Sequence, residues 1–455
     1  MKKIVLSIAG VMAIAAFAPE ASALPVFARQ TGMACSACHF QHFPLLNGFG
    51  RAFKAGGFTM MGAQAKVEGD DLSIPATLNM AVLTSMGYVK TNQDANLTGQ
   101  AKNNGNGTWG VPGVGGGGGV NEASLFFGGH VTDFAGFLSE MTLAPNAKMD
   151  SAKTPILFDV AGSRVGFVPF ATNAQGASYG METLNTGANA VHMQSNTVGP
   201  NNEFAKAMSA QQYLTTNGNA VGIAFVGTND MGFVNFTKYQ QTGIANGATA
   251  ALGSTYARLA GTFDLAGWDA GVGIQNWSGA SLASVAAAVA PATVGVGTMQ
   301  QTKASAIDGQ LQGDIGGMPV GFYASYARAP GTGATTAAGI AAGVLANTYN
   351  AGTLTRSSFN VNAEVGVLPG IATIGAAVRQ GKSGVADAAG GNMTDNAIML
   401  TATYKLAQNM MARLSYVSQT GGYWSATAAG ALAATTTNAN VVGSKTTMLN
   451  MYVLF

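Results

Sequence analysis

Beyond about residue 75 the chain alternates between apolar and polar positions. From Ser358 to Val367, Phe359, Val361, Ala363, Val365 and Val367 share one parity, while Ser358, Asn360, Asn362, Glu364 and Gly366 share the other. This period of two is that of a strand with one apolar and one wet face. Ile398, Leu400, Ala402, Tyr404 and Leu406 form a second such row. Ala412, Leu414 and Tyr416 form a third, with Lys405, Arg413 and Ser415 on the opposite parity. Further candidate strands lie around Leu125, Phe158, Val221, Val234, Tyr256, Val272, Leu311 and Tyr323. Between them stand Gly/Asn/Asp turns or long polar stretches, notably Lys90 to Asn121, Ala329 to Thr355, Lys382 to Asn396 and Ser418 to Lys445. Lipid-facing rows joined by short turns and long loops predict an all-β transmembrane barrel of the outer-membrane kind. At about 24 residues per strand and loop, residues 76–455 give about 16 antiparallel strands. The final row, Leu449, Met451, Val453 and Phe455, ends on an aromatic residue, as the insertion signal of bacterial outer-membrane barrels does.

The first seventy-five residues follow another logic. Lys2 and Lys3 precede the apolar run Ile4 to Ala18, and Ala21-Ser22-Ala23 supplies small residues for a signal peptidase. Residues 1–23 therefore read as an export signal cleaved after Ala23. In residues 24–75, Phe40, Phe43, Leu45, Leu46, Phe49, Phe53 and Phe58 are spaced for one helix from about Pro44 to Ala55 and an apolar wall. Some fifty residues are too few for a free-standing core without a cofactor or a supporting body.

Composition narrows the function. Of 455 residues 9% are charged, and the net charge is +2 from 22 basic and 20 acidic side chains, so no basic patch points to nucleic acid. With 47% hydrophobic residues the chain is not of the disordered class. Its 63 glycines and scattered polar residues leave no unbroken apolar run of about 18 residues after the first twenty-five positions, which argues against a helical membrane protein. No nucleophile elbow, phosphate loop or dinucleotide fingerprint stands in a strand-turn-helix context.

The most specific motif is Cys35-Ser36-Ala37-Cys38-His39, the attachment sequence of a c-type haem, and it uses both cysteines of the chain. Two thiols three residues apart on one helical turn reach the two vinyl groups of a porphyrin, and the following His39 ligates the iron. A zinc site would need two more ligands at matched spacing, and a redox dithiol would need a βαβ setting; neither follows here. The second axial ligand has several candidates. Met60 or Met61, after the Gly56-Gly57 break, is one; His42 or a barrel histidine is another; an open site is the third. Arg51 and Lys54 are candidates to pair with the haem propionates. His130, which shares parity with Glu122 and Ser124, and His192 read as lumen or loop residues, since neither has neighbours at a metal-ligand spacing.

Pro25-Val26-Phe27-Ala28-Arg29-Gln30, the Cys35 to His39 motif and Phe43-Pro44-Leu45-Leu46-Asn47-Gly48-Phe49-Gly50-Arg51-Ala52-Phe53-Lys54, placed before a barrel, resemble the fused monohaem cytochrome c–porins of iron-oxidising bacteria. The resemblance implies a cytochrome c domain at 24–75 and a porin-like barrel at 76–455. Its implied activity is that of an outer-membrane Fe(II) oxidase, of the iron:cytochrome c oxidoreductase type. Through one covalent haem c held by Cys35, Cys38 and His39, it would oxidise extracellular Fe(II) and pass the electron inward to a periplasmic c-type cytochrome or other acceptor. The haem domain is then expected at the periplasmic mouth or inside the barrel, because a bilayer core of about 30 Å is long for a single electron transfer. Two other readings of the same residues are a porin gated by a redox-active haem plug and a conduit serving a different extracellular donor or acceptor.

Overall fold

The computed structural model describes residues 25–62, 64–92, 108–110, 123–143, 147–188, 203–241, 251–282, 299–332, 345–426 and 443–455. The export signal, His192 and most of the predicted loop residues lie outside these. Sixteen antiparallel strands close into one barrel. In chain order they are β1 (Met80–Thr91), β2 (Ala123–Thr132), β3 (Ala135–Thr142), β4 (Lys148–Lys153 continued by Ile156–Val160), β5 (Ser163–Thr172), β6 (Ala220–Asn229), β7 (Gly232–Gln240) and β8 (Ser254–Leu265). They continue with β9 (Trp268–Leu282), β10 (Ala304–Ile315), β11 (Met318–Ala329), β12 (Arg356–Leu368), β13 (Ala372–Ala386), β14 (Asn396–Ala407), β15 (Met410–Thr420) and β16 (Lys445–Leu454). β16 returns to β1 in the register Leu449↔Tyr88 and Met451↔Met86, so no sheet edge is left open. The break in β4 falls at Pro155, which has no N–H to give to the ladder. Among the described residues no helix is long and apolar enough to cross a membrane.

The two parities separate as predicted. In β12, Phe359, Val361 and Val367 are exposed on the outside, while Ser358, Asn360, Asn362 and Glu364 are buried inside. β14 turns Ile398, Leu400 and Leu406 outward, and β15 turns Leu414 outward with Arg413 and Ser415 buried. At one end the strands join through tight turns. The Gly316-Gly317 turn has φ of 63° and 83°, a left-handed pair that suits a two-residue hairpin, and Asp314 Oδ1 accepts the Gly317 N–H at 2.7 Å. At the other end stand the long connections. One predicted loop differs: Lys382 to Asn396 continues as ladder, with Lys382 opposite Thr394 and Ala386 opposite Asn392, before reversing at Asp387–Gly391. Polar residues on both faces do not stop a strand whose backbone is paired.

Two segments pack against the inward faces. One is residues 25–62, with helices α1 (Pro25–Thr31), α2 (Cys35–Cys38) and α3 (Gly48–Ala55). The predicted helix from Pro44 begins only at Gly48, because the Asn47 side chain accepts the Gly50 N–H at 2.9 Å and caps it there. The other, unforeseen in the sequence, is the connection from β5 to β6, with α4 (Glu203–Met208) and α5 (Ala210–Tyr213). Asn235 donates to the Met181 carbonyl, Asn360 to those of Lys206 and Ala207, and Asn362 to that of Met208, so inward asparagines of the wall satisfy the backbone of this connection.

The outward row is testable. Val361→Arg, at the centre of β12, should cost about 2–4 kcal/mol in urea titrations of the lipid-embedded barrel. Val67→Arg, equally exposed but on the small hairpin Lys66–Gly69/Leu72–Pro75, should stay within about 0.5 kcal/mol. Equal costs at the two sites would contradict a lipid-facing β12.

Candidate functional site

α2 carries both cysteines, and neither forms a disulfide. Burial raises the pKa of both thiols, so they remain protonated; the Lys405 ammonium partly offsets this at Cys35. The helix ends at once: His39 is extended at ψ 136°, and its N–H closes on the Cys35 carbonyl at 2.9 Å. Asn47 then clamps the turn, donating through its side chain to the Ala37 carbonyl and through its backbone to that of Cys38. Gly50 of α3 lies so close to the Cys38 carbonyl that a Cβ there would collide with it.

The His39 ring is oriented by a hydrogen bond to the backbone. Its Nδ1 lies 3.1 Å from the Leu45 carbonyl, which can only accept, so Nδ1 carries the proton and Nε2 the lone pair. Burial lowers the His39 pKa to about 4, against the smaller opposing pull of the Leu45 carbonyl, and so keeps the imidazole neutral. A neutral imidazole with a free Nε2, oriented from behind by a carbonyl, is the form that ligates a metal.

Two cavities, of about 260 and 400 Å³, meet at His39. The first also touches Cys38 and is walled by Phe27, Phe43, Phe53 and Phe58, where the Phe27 ring stacks on Phe58 at 4.9 Å and meets Phe53 edge-on at 5.1 Å. The second touches Cys35 and extends to Lys405, Met410 and Met411 at the turn between β14 and β15.

The segment is tied down by polar contacts. His42 Nε2 sits 2.9 and 3.0 Å from the two oxygens of Glu364 on β12, which also accepts from Thr373 at 2.5 Å. Arg51 reaches both oxygens of Asp269 on β9 at 2.6 Å. Arg164 donates to the Gly56 carbonyl and to Thr59, and Gln30 donates to the Phe58 and Met60 carbonyls while accepting the His130 N–H. The inward-folded connection joins the same site, since Asn185 exchanges two hydrogen bonds with the Leu46 backbone, each 2.8 Å.

Cys35, Cys38 and His39 are thus brought together, and Lys54 lines the first cavity with Cys38 and His39. Arg51 lines neither and is held by Asp269 instead. Met60 and Met61 line neither cavity, and Met60 is exposed at the surface. His42 does not follow His39 on a helical face: Gln41 adopts φ 63°, which swings His42 to the barrel wall and commits its Nε2 to Glu364. His130 faces inward, with Nδ1 2.9 Å from the Thr59 carbonyl. Lys153, Glu182, Met410 and Met411 were missed. Lys153 shares the inward parity of Ser151 on β4, a signal that a row-by-row reading contains, whereas Glu182 belongs to the connection that no pattern announced. Among the described residues no group of three or more His, Cys, Asp and Glu forms an ion site.

In an apo form made by Cys35→Ala/Cys38→Ala, pH should act through His39. Its folded pKa of about 4 lies below the ordinary 6.5, so the unfolded segment takes up the proton first. Stability of residues 39–47 should be constant above about pH 6.5, fall by up to about 3 kcal/mol down to pH 4, and then level, as read by amide hydrogen exchange. A rise in protection through that window would contradict a buried neutral ring.

No protein-family model matches the chain, and no curated protein matches it. Solved structures are similar in fold. Vibrio cholerae OmpT is 12% identical with a TM-score of 0.44, over 86% of this chain and all of its own. The anion-selective porin of Comamonas acidovorans is 12% identical with a TM-score of 0.43, over 83% and 99%. Salmonella typhi OmpF is 10% identical with a TM-score of 0.44, over 86% and 100%. At these identities the likeness is one of barrel architecture and says nothing of what this chain carries or passes.

Proposed function

We propose that the chain is an outer-membrane electron conduit: Cys35 and Cys38 attach one haem c, His39 ligates it, and the electron taken from extracellular Fe(II) leaves toward a periplasmic c-type cytochrome. The observation that carries this reading is the His39 ring, held neutral with Nε2 free where two cavities meet, one touching Cys38 and the other Cys35 of α2. Bound there, a haem supplies one reversible one-electron exchange, matching Fe(II) → Fe(III) + e⁻ on the outside with one-electron reduction of the periplasmic partner.

The chain's own residues supply the rest. Leu45 holds the proton on Nδ1 and so presents the Nε2 lone pair. Phe27, Phe53 and Phe58 close the first cavity against water. His42–Glu364 and Arg51–Asp269 fix the segment to the wall at the end of short turns, the periplasmic end in barrels whose long loops face outward. Toward the loop end the inward-folded connection packs against the wall, with Arg258 2.5 Å from Asp308 and 3.1 Å from Glu182. A gate that swung out would leave the fully buried Arg258 without Glu182 and the buried Glu364 carboxylate without His42, and because stranding a buried charge costs about 3–5 kcal/mol, these ties favour a fixed plug over a swinging gate. Iron then stays outside while charge passes inward.

Anaerobic addition of Fe(II) to the detergent-purified protein, followed by haem absorbance, tests the proposal. Reduction by Fe(II) and a closed lumen in single-channel recordings of both redox states are expected. A haem that dithionite reduces but Fe(II) does not would contradict the assigned donor, and conductance that opens with one redox state would make the protein a gated porin. His39→Ala should retain covalently bound haem while changing its spectrum; an unchanged spectrum would remove His39 as a ligand.

A further inference from the structure

The first cavity contains two ammonium groups that nothing in the functional reading above uses. Lys153 of β4 is 4% exposed, and Lys54 of α3 is half-buried; both line the space that touches Cys38 and His39. The three protons of Lys153 have one hydrogen-bond acceptor among the described residues, the Tyr179 carbonyl at 2.8 Å. Its remaining contacts are ring faces, Tyr179 at 4.3 Å and Phe58 at 5.7 Å from the centroids. The Lys54 ammonium has no hydrogen bond or ion pair among the described residues. Two cations lining one largely apolar cavity are a costly arrangement unless an anion enters with them.

The acidic groups of the cavity are otherwise engaged. Glu140 accepts from Ser124, and Glu182 is held by Arg258 and by the Leu184 N–H, with its charge reaching Lys54 only at longer range. Asp269, outside this cavity, belongs to Arg51. Lys405, the cation of the second cavity, acts on the Cys35 thiol and so stands at the attachment edge. Lys54 and Lys153 are left as the pair suited to a dianion.

We infer that Lys54 and Lys153 receive the two carboxylates of the porphyrin. The inference rests on the haem reading above and replaces Arg51, which its aspartate holds away, with Lys153. Both lysines are positioning residues. They balance the propionate charge in a place with little water, and by keeping that negative charge from the iron they hold the reduction potential up.

The test is a spectroelectrochemical titration of the haem in the full-length protein. Lys54→Gln and Lys153→Gln should each retain covalent haem and each weaken the reduced form by three- to tenfold, tenfold being 59 mV for a one-electron couple. Lys153→Arg should restore the potential, and Lys148→Gln, an exposed lysine on the same strand, should leave it unchanged. Potentials within experimental error of the parent in both Gln variants would overturn the inference while leaving the haem intact. A parent protein without covalent haem would overturn the reading beneath it. If Lys153→Gln fails to fold, Lys54→Gln, at a half-buried position, decides by the same readout.

Discussion

A barrel of sixteen strands is wider than its own side chains can fill, and such barrels ordinarily hold water. Here the inward parity is polar and buried, so each inward group needs a partner that is not bulk solvent. The partners are neighbouring wall residues and two returning pieces of the same chain. Glu364 takes His42, Asp269 takes Arg51, Asp308 and Glu182 share Arg258, and wall asparagines satisfy the backbone of the β5–β6 connection. Pairing across the inner face is what the rest of the structure depends on. It lets fifty N-terminal residues, too few to fold alone, borrow a core from the wall.

The site inherits its properties from that pairing. Because 25–62 is held at several points around α2, the Cys-x-x-Cys turn and His39 sit on a rigid support rather than on a tether. The Asn185 exchange with Leu46 links the residue next to the His39 carbonyl partner to the second inward piece. The two segments therefore brace one another, and the aromatic cavity lies where they and the wall meet.

Much of this was legible in residue patterns, and the reason is local. Parity is a property of single strands, so the rows at 358–367, 398–406 and 412–416 survive intact. What was not legible depends on partners distant in sequence. Arg51 looks like a free cation until Asp269, more than two hundred residues on, is brought to it. His42 looks like a neighbour of His39 until Gln41 turns the chain. Asn47 reads as a helical residue until its side chain caps the helix. The β5–β6 connection has a composition little different from the external loops, and only the unfilled polar wall explains why it folds inward. Lys153 lay on a readable parity, but its meaning required the cavity.

The central claim is that charge crosses this barrel while iron does not. Vesicles carrying the protein in one orientation, with an oxidised c-type cytochrome sealed on the short-turn side and Fe(II) added on the loop side, test it most directly. The account predicts that the enclosed cytochrome is reduced, that it stays oxidised with the Cys35→Ala/Cys38→Ala protein, and that the vesicle interior gains no iron. Enclosed cytochrome that is reduced only as iron enters, or that stays oxidised with haem-loaded protein, would contradict it.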